Sequence, residues 1–521
     1  MLRRSALFVM LILALQPGPS PAFSEEQAGP TRWIRRIIYE RADVFPGDEL
    51  SGIQKTANRL HILTSEAVIA REVLLSPGDS MSEELRAESE RKLRNLDFLG
   101  DAEITTRPVG TDSLDVIVST IDQWSLIPAV VLTSGGGLTR FGGSLEESNF
   151  LGRGKFLWGT AEYENDVGTT WYAGYDDPQL LGSHLKAGVS FASGPLEQSW
   201  AAYINRPFYS SDSIWSWGAN GGTGKEIRRI FDYGEEVSRY GQNIDEAALH
   251  ATRAIGERYR KWRFSLSYSY SNEENYPIDG QTTLPVPVNE LIHATTLGVS
   301  RENRSFAVER RINKLGRKED LALGNSSYLY IGRTAFPFDV GVRRWQFGAG
   351  HDHKIQLQKH NFLFLGFDFS TEFEKDTIFS FDTRWYNVIA WQTLALNIEG
   401  DFSNDLDIGR QFVLGGDSGL RGYPAREFTG AKRFLMNLES RVNPQLEVWT
   451  VALGGVVFVD VGNVWDRNQD VDFKDFNVGA GAGLRLEFTR TPGAPVSRID
   501  IGWPVNRSGG PALTLGIEQH F

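Results

Sequence analysis

The chain has no cysteine among its 521 residues. That excludes disulfides, zinc–thiolate centres, a cysteine nucleophile and a lipidated cysteine anchor. Histidine is scarce, at eight, so proton relays and metal-ligand sets have few candidates. Beyond the N-terminal region no run of about 18 consecutive apolar residues occurs, which leaves no transmembrane helix. Positive charge is also short. A net charge of −12 argues against a general nucleic-acid binder, which needs a basic face. Glycine, by contrast, is plentiful at 54, and aromatic residues make up 12%, yet mean hydropathy is −0.29. That combination suits a membrane barrel, in which lipid-facing and water-facing residues alternate.

The N-terminus reads as a secretory signal over residues 1–24. Arg3 and Arg4 supply the charged region and Ala6 to Leu15 the apolar run, which is too short to span a bilayer as a helix. Ala22-Phe23-Ser24 provides small residues for cleavage after Ser24; an uncleaved anchor is the alternative. An exported chain without cysteine or a helical span belongs in the periplasm or the outer membrane of a Gram-negative cell. Residues 25–32 read as a linker.

Residues 33–122 read as a small α/β domain. Trp33 to Val44 has strand character, Thr64 to Leu75 helical spacing, and Pro77-Gly78-Asp79 breaks it. Ser82 to Leu99 reads as an amphipathic helix with Leu85, Leu93, Leu96 and Phe98 among charges. Ala102 to Arg107 and Leu114 to Thr120 read as strands, with Gly110-Thr111-Asp112 turning between them. The order is β-α-α-β-β, with helices on one sheet face.

From Trp124 onward, residues 123–521, period-two alternation takes over, in segments separated by Gly, Asn, Asp and Pro. In Phe434 to Val442, Phe434, Met436 and Leu438 alternate with Asn437, Glu439 and Arg441. In Val451 to Gly462, Val457, Val459 and Val461 alternate with Phe458, Asp460 and Gly462. Asn477 to Phe488 alternates apolar residues with glycines, Arg485 and Glu487. Ile499, Ile501 and Trp503 oppose Arg498, Asp500 and Gly502. Leu513, Leu515, Ile517 and Phe521 oppose Thr514, Gly516 and Glu518, so the chain is expected to end on an aromatic residue in its final strand. A soluble β-sandwich is the alternative. Length without a domain break and a wet-looking second face favour a mainly β, transmembrane antiparallel barrel of about sixteen strands, at roughly 25 residues per strand and connection. Lys225 to Arg253 reads as a long charged external loop, with a short helix left open.

Leu414 to Pro424 (LGGDSGLRGYP) is a Gly-rich loop with one arginine, Arg421. Glu439 and Asp460, mid-strand and on the charged face by parity, are natural partners for its guanidinium. From the residues alone, a loop tip in water, where such a pair is worth about 0–1 kcal/mol, stands beside a lumenal site. Gly416-Asp417-Ser418-Gly419 matches the string around a serine-protease nucleophile, but no histidine stands in a partner motif. Gly222-Thr223-Gly224-Lys225-Glu226 has Glu226 where a phosphate loop needs Ser or Thr. His351-Asp352-His353 alone reads as a solvated turn rather than a metal site. The chain is expected not to be an enzyme and to need no cofactor or metal.

These motifs together resemble the outer membrane protein 85 superfamily, in particular BamA/TamA-like and bacterial surface antigen proteins, over nearly the whole mature chain. Leu420-Arg421-Gly422-Tyr423 is similar to the family's sixth-loop signature, Phe458 to Trp465 to its F-x-D-x-G strand, and Asn437 to Arg441 to its acidic strand motif. Asn149 to Gly154 and Asp177-Pro178 resemble motifs of early barrel strands, and residues 33–122 resemble one polypeptide-transport-associated (POTRA) domain. The resemblance implies that Arg421 folds into the lumen onto Glu439 and Asp460. It implies that Thr514, Gly516 and Phe521 form a C-terminal assembly signal, with Gln519 departing from the usual apolar residue. It implies a periplasmic POTRA-like domain and outer-membrane lipids around the barrel. The implied partners are an unfolded client polypeptide and the barrel assembly machinery for the chain's own insertion, without nucleic acid. The implied function is insertion or translocation of polypeptides, at a seam between a first strand near Trp124 to Leu132 and a last at Leu513 to Phe521. The domain's sheet edge would add a client strand. A passive or lipid-handling pore, or a structural surface antigen, are the alternatives. One POTRA-like unit fits a specialised role better than general assembly.

Overall fold

The computed structural model describes residues 32–521 except 48–49, 136–137, 166, 233–234, 373–374, 404, 407–409 and 490–495. The expected signal sequence, residues 1–24, and all but the last residue of the expected linker therefore lie outside the described residues.

The N-terminal domain runs β1 (Trp33–Ala42), α1 (Gly52–Leu60), α2 (Glu66–Glu72), α3 (Glu83–Arg94), β2 (Leu99–Val109) and β3 (Ser113–Asp122). The sheet order is β1-β3-β2. β1 runs parallel to β3, an arrangement that needs a crossover, and the helices supply it. β2 returns antiparallel to β3 through a tight turn whose Gly110 has φ +74°. Ile34, Ile69, Leu93, Ile104, Val116 and Val118 form the core between sheet and helices. Both expected helices are shorter than the sequence reading: α3 stops at Arg94 because Asn95 caps it, and β2 starts at Leu99. α1 was not expected. Its signal is local: Ser51 and Gln54 form a reciprocal capping box, while none of its residues is buried.

The barrel is a closed sheet of twenty strands among the described residues, not about sixteen. The estimate of residues per strand was too generous for the first third of the wall. There the strands from Leu126–Gly135 to Glu197–Arg206 are eight to ten residues long and join through short connections. The described residues of Lys225 to Arg253 are strand rather than loop or helix. It lies in one long hairpin, Trp215–Asp232 with Glu235–Glu257, built on the same alternation as the rest. Strand parity sorts the two faces. Leu438, Val457, Leu484, Ile501 and Leu513 are exposed outward, whereas Asn437, Glu439, Asp460, Arg485 and Asp500 are buried inward.

Closure is thin. The first wall strand, Leu126–Gly135, pairs over ten positions with Leu138–Glu147 but, among the described residues, meets the last strand, Ala512–Ile517, at one, Ser134 opposite Leu513. The last strand ends at Ile517 rather than at Phe521. Glu518 turns left-handed (φ +67°), and Phe521 leaves the sheet to pack on Ile312, Phe362 and Tyr386 inside the barrel.

The domain sits against the mouth of the barrel at which the first wall strand begins. Ser65 N donates to Gly152 O (2.8 Å), and Asn149 Nδ2 donates to Thr64 Oγ1 (2.8 Å). Arg71 donates to Gln179 (3.0 Å). Arg94 clasps Asp320 through two bonds of 2.9 and 3.0 Å. The Asn149–Gly154 and Asp177–Gln179 turns are thus the ledge on which the domain rests. Asn149 Oδ1 accepts from Gly154 N (2.7 Å), and Asp177 accepts from Lys155 (2.7 Å).

On the domain itself, Asp115 is enclosed by Arg35 (2.7 Å), Arg36 (3.2 Å) and Arg107 (3.4 Å). Hydrogen bonds from Arg35 above all hold its carboxyl below the usual range. A lowered folded pKa gives stability that is complete above the unfolded value of about 3.9 and lost as pH falls below it. Asp115→Asn is therefore expected to speed amide exchange in β1 and β3 at neutral pH. The gap from the unsubstituted protein should close below about pH 4. Equal exchange at pH 7 would contradict this.

Candidate functional site

The connection between the wall strands Gln392–Ser403 and Lys432–Val448 re-enters the barrel. A short ribbon, Phe412–Leu414 against Phe428–Gly430, forms its neck. Below it the chain folds on itself: Gly416 N donates to Pro424 O (3.0 Å) and Leu420 N to Gly415 O (2.9 Å). Two positions require glycine. Gly419 and Gly422 have φ of +116° and +96°, and a Cβ on Gly422 would meet the Trp503 backbone at 2.8 Å. Leu420 packs on Leu414, Leu435 and Val464. Tyr423 donates its hydroxyl to Val478 O (3.1 Å) or Asn506 Oδ1 (2.9 Å). These contacts aim Arg421 at the wall.

Arg421 is completely buried. Its Nε and Nη2 each lie 2.8 Å from an oxygen of Asp460, a fork-on-fork pair that lysine could not make. Its backbone N adds a third bond to Asp460 (3.1 Å). Nη1 donates to Glu439 (2.7 Å) and to Asp500 (3.3 Å). The guanidinium carbon lies 3.5 Å from the ring centre of Phe458. The carboxylates are themselves shared. Asn437 Nδ2 donates to Asp460 (2.8 Å) and to Gly419 O (2.8 Å), Arg441 to Glu439 (2.8 Å), and Arg485 to Asp500 (2.6 Å).

The structure thus brings Arg421, Glu439 and Asp460 together. It adds Asp500, Phe458, Asn437, Arg441 and Arg485, which the sequence reading assigned no role. Their signal was parity: each lies on the inward face, where a charge in a bilayer-spanning wall must find a partner. The C-terminal residues join the same cluster. Thr514 faces Asp500 across the ladder and Gly516 faces Arg498, where a Cβ would strike the guanidinium at 2.7 Å. Gln519, the departure from the family pattern, accepts from Arg485 (3.1 Å). Arg441 donates to Phe521 O (3.0 Å).

The competing motifs fall elsewhere. Ser418 is at hydrogen-bond distance of its neighbour Asp417 (3.4 Å). Gly222 to Glu226 lies inside a strand. His351 and His353 lie in the strand Trp345–Gln358, with His351 Nδ1 2.8 Å from Ser327 Oγ.

Truncating Arg421 would leave Asp460 and Glu439 buried without their shared cation, a loss of about 3–5 kcal/mol. Arg421→Ala should therefore lower the urea midpoint of the lipid-embedded barrel and open the Leu414–Pro424 loop to protease. Arg421→Lys should recover part of the loss. An unchanged midpoint and unchanged cleavage for Arg421→Ala would contradict the anchor.

Residues 355–519, which contain Arg421 and its three carboxylate partners, match the Omp85 superfamily domain. No curated protein matches the chain. Among solved structures it is similar to BamA from Haemophilus ducreyi lacking POTRA domains 1–3. That likeness has 15% identity and a TM-score of 0.40, covering 96% of this chain and 87% of that one. It is also similar to CdiB from Acinetobacter baumannii, with 13% identity, 99% and 96% coverage and a TM-score of 0.45. For CdiB from Escherichia coli the values are 12%, 99% and 96%, and 0.44. The match at residues 355–519 thus places an Omp85 superfamily domain over the later strands of a closed β-barrel.

Proposed function

We propose that the protein assists the insertion or translocation of polypeptides at the outer membrane, with the N-terminal domain in the periplasm as client acceptor. The observation that carries this reading is the seam. Among the described residues one paired position, Ser134 with Leu513, closes the sheet, so the edge of Leu126–Thr133 shows no ladder partner there on that side. Unpaired edge groups are a template for an added strand, and opening this seam breaks far less pairing than any other junction in the wall. In the domain, β2 is the outer strand of the sheet, with Arg86 capping one of its carbonyls, Ile104 O (2.8 Å). The start of β1 is already covered by the 78–81 segment, through Ile34 N to Asp79 O (2.9 Å) and Met81 N to Arg32 O (2.9 Å). An extended client would thus add to β2 and pass to the seam. Its burial in lipid would supply the driving force, with no catalytic residue or cofactor in the scheme. The barrel assembly machinery would insert the chain itself.

The chain lacks cysteine, so an engineered pair is unambiguous. Ser134→Cys with Leu513→Cys should form a seam disulfide that stops assembly of a purified unfolded outer-membrane protein into vesicles, at least tenfold. Reductant should restore it. Full activity with the seam locked would overturn the reading and favour a passive pore.

A further inference from the structure

The wall strands Glu290–Arg310 and Lys318–Thr334 do not stay in the wall. Their mutual register continues unbroken to Arg310 opposite Lys318. Pairing with the neighbouring strand Trp345–Gln358 ends, however, at Gly324 opposite Lys354. On the other side, pairing with Arg260–Pro277 ends at Asn303. Among the described residues Ile355–Gln358 has no ladder partner on that edge. Gly324 makes the departure: its φ is +107°, and a Cβ there would lie 2.0 Å from Asn303 O.

Beyond that point the Arg304–Leu323 hairpin crosses the mouth of the barrel. Ile312 and Leu321 pack on Phe362, Tyr386 and Val388 of the inner wall. The tip reaches strands four to seven positions around the barrel from Lys318–Thr334. Leu315 N donates to Glu487 (2.6 Å), Arg317 to Thr489 O (2.9 Å), Arg441 to Ile312 O (2.9 Å) and Thr393 to Arg311 O (2.8 Å). From the other side α3 presses on it, with Arg94 on Asp320 (2.9 Å) and Arg91 over the Phe306 ring (4.3 Å).

The sequence of this hairpin still carries the wall pattern. Ala307, Leu321 and Leu323 are apolar at the positions that face outward higher in the same strands. Extending the register from Gly324–Lys354 would set Leu323 opposite Ile355 and Leu321 opposite Leu357. Leu357 is exposed, at a bulge in the pairing of its strand with Asn361–Glu372. Both positions satisfy the hairpin: inward it gains an apolar cluster and five polar ties, outward it gains ladder bonds and a lipid-facing stripe. We propose that Arg304–Leu323 is a movable plug. It seals the mouth when clamped between α3 and the Arg441 arm of the ion cluster, and opens a solute path when it zips back onto Ile355–Gln358. Arg441 also contacts Glu439, so the plug tip and the Arg421 anchor share a residue. The inference rests on the barrel's register and the hairpin's contacts, and stands whatever the barrel transports.

The test uses the full-length protein in planar lipid bilayers, with heat-modifiable gel mobility as the check of folding. Replacing Phe306–Ala322 by a short Gly-Ser turn should raise mean conductance at least tenfold. Arg311→Cys with Thr393→Cys should, once oxidised, suppress openings at least tenfold and recover them in reductant. Leu321→Cys with Leu357→Cys joins residues that face opposite sides of the wall in the plugged position. It should nonetheless crosslink under mild oxidation and hold the open level, with the single variants as baseline. A folded Leu321→Cys/Leu357→Cys protein that never crosslinks, or a plug deletion with unchanged conductance, would overturn the proposal.

Discussion

A guanidinium with no access to water governs the interior of this barrel. Arg421 is sealed beneath its own loop, so its charge must be met in place, and Asp460, Glu439 and Asp500 meet it at 2.7–3.3 Å. Taking these ions out of water costs several kcal/mol each, and only complete pairing recovers it. That requirement explains features that look unrelated along the chain. Glycine at 419 and 422 lets the loop reach the wall. Asn437 fills the last acceptor of Asp460 and at the same time holds the loop through Gly419 O. Arg441 and Arg485 keep the carboxylates from being in excess, and each passes the tie onward, to the plug hairpin and to Gln519.

The consequence is a wall whose strength is uneven. Around the cluster, strands Lys432–Val448 to Ser497–Pro504 are bound by ladder bonds outside and ion pairs inside. Immediately beyond them the sheet closes, among the described residues, through one pair. The C-terminal residues turn inward at Glu518, where Gln519 and Phe521 join the ion cluster and the apolar pocket instead of extending the ladder. Inward contacts of the last segment are thus made at the expense of edge pairing with the first strand. A rigid anchor beside a weak seam is the arrangement expected of a barrel that opens at one place and keeps its shape elsewhere.

Much of this was written in the sequence, and what was not has physical causes. Period-two alternation gave away the wall and the inward set, because a bilayer punishes any exception. The strand count was not readable, since tight turns and short strands leave the same pattern as long ones with loops. The 225–253 hairpin was misread because its many charged residues, among them Lys225, Arg228, Arg229, Glu235 and Glu236, mask the alternation of its strands. The inward hairpin was invisible for the opposite reason: Ala307, Leu321 and Leu323 keep the alternation of a wall strand, and only the lost register beyond Gly324 betrays them. In the ion cluster, Arg421, Glu439 and Asp460 were approachable from motif and parity. Asp500 and Arg441 had the right parity but no local sign of convergence, which only the closed sheet creates.

The central claim is that Arg421 and Asp460 act as one unit. A double-mutant cycle with Arg421→Met and Asp460→Asn, read by urea unfolding in lipid, tests it most directly. The account predicts that the single losses exceed the double by about 2 kcal/mol or more. Additivity within about 0.5 kcal/mol would contradict it.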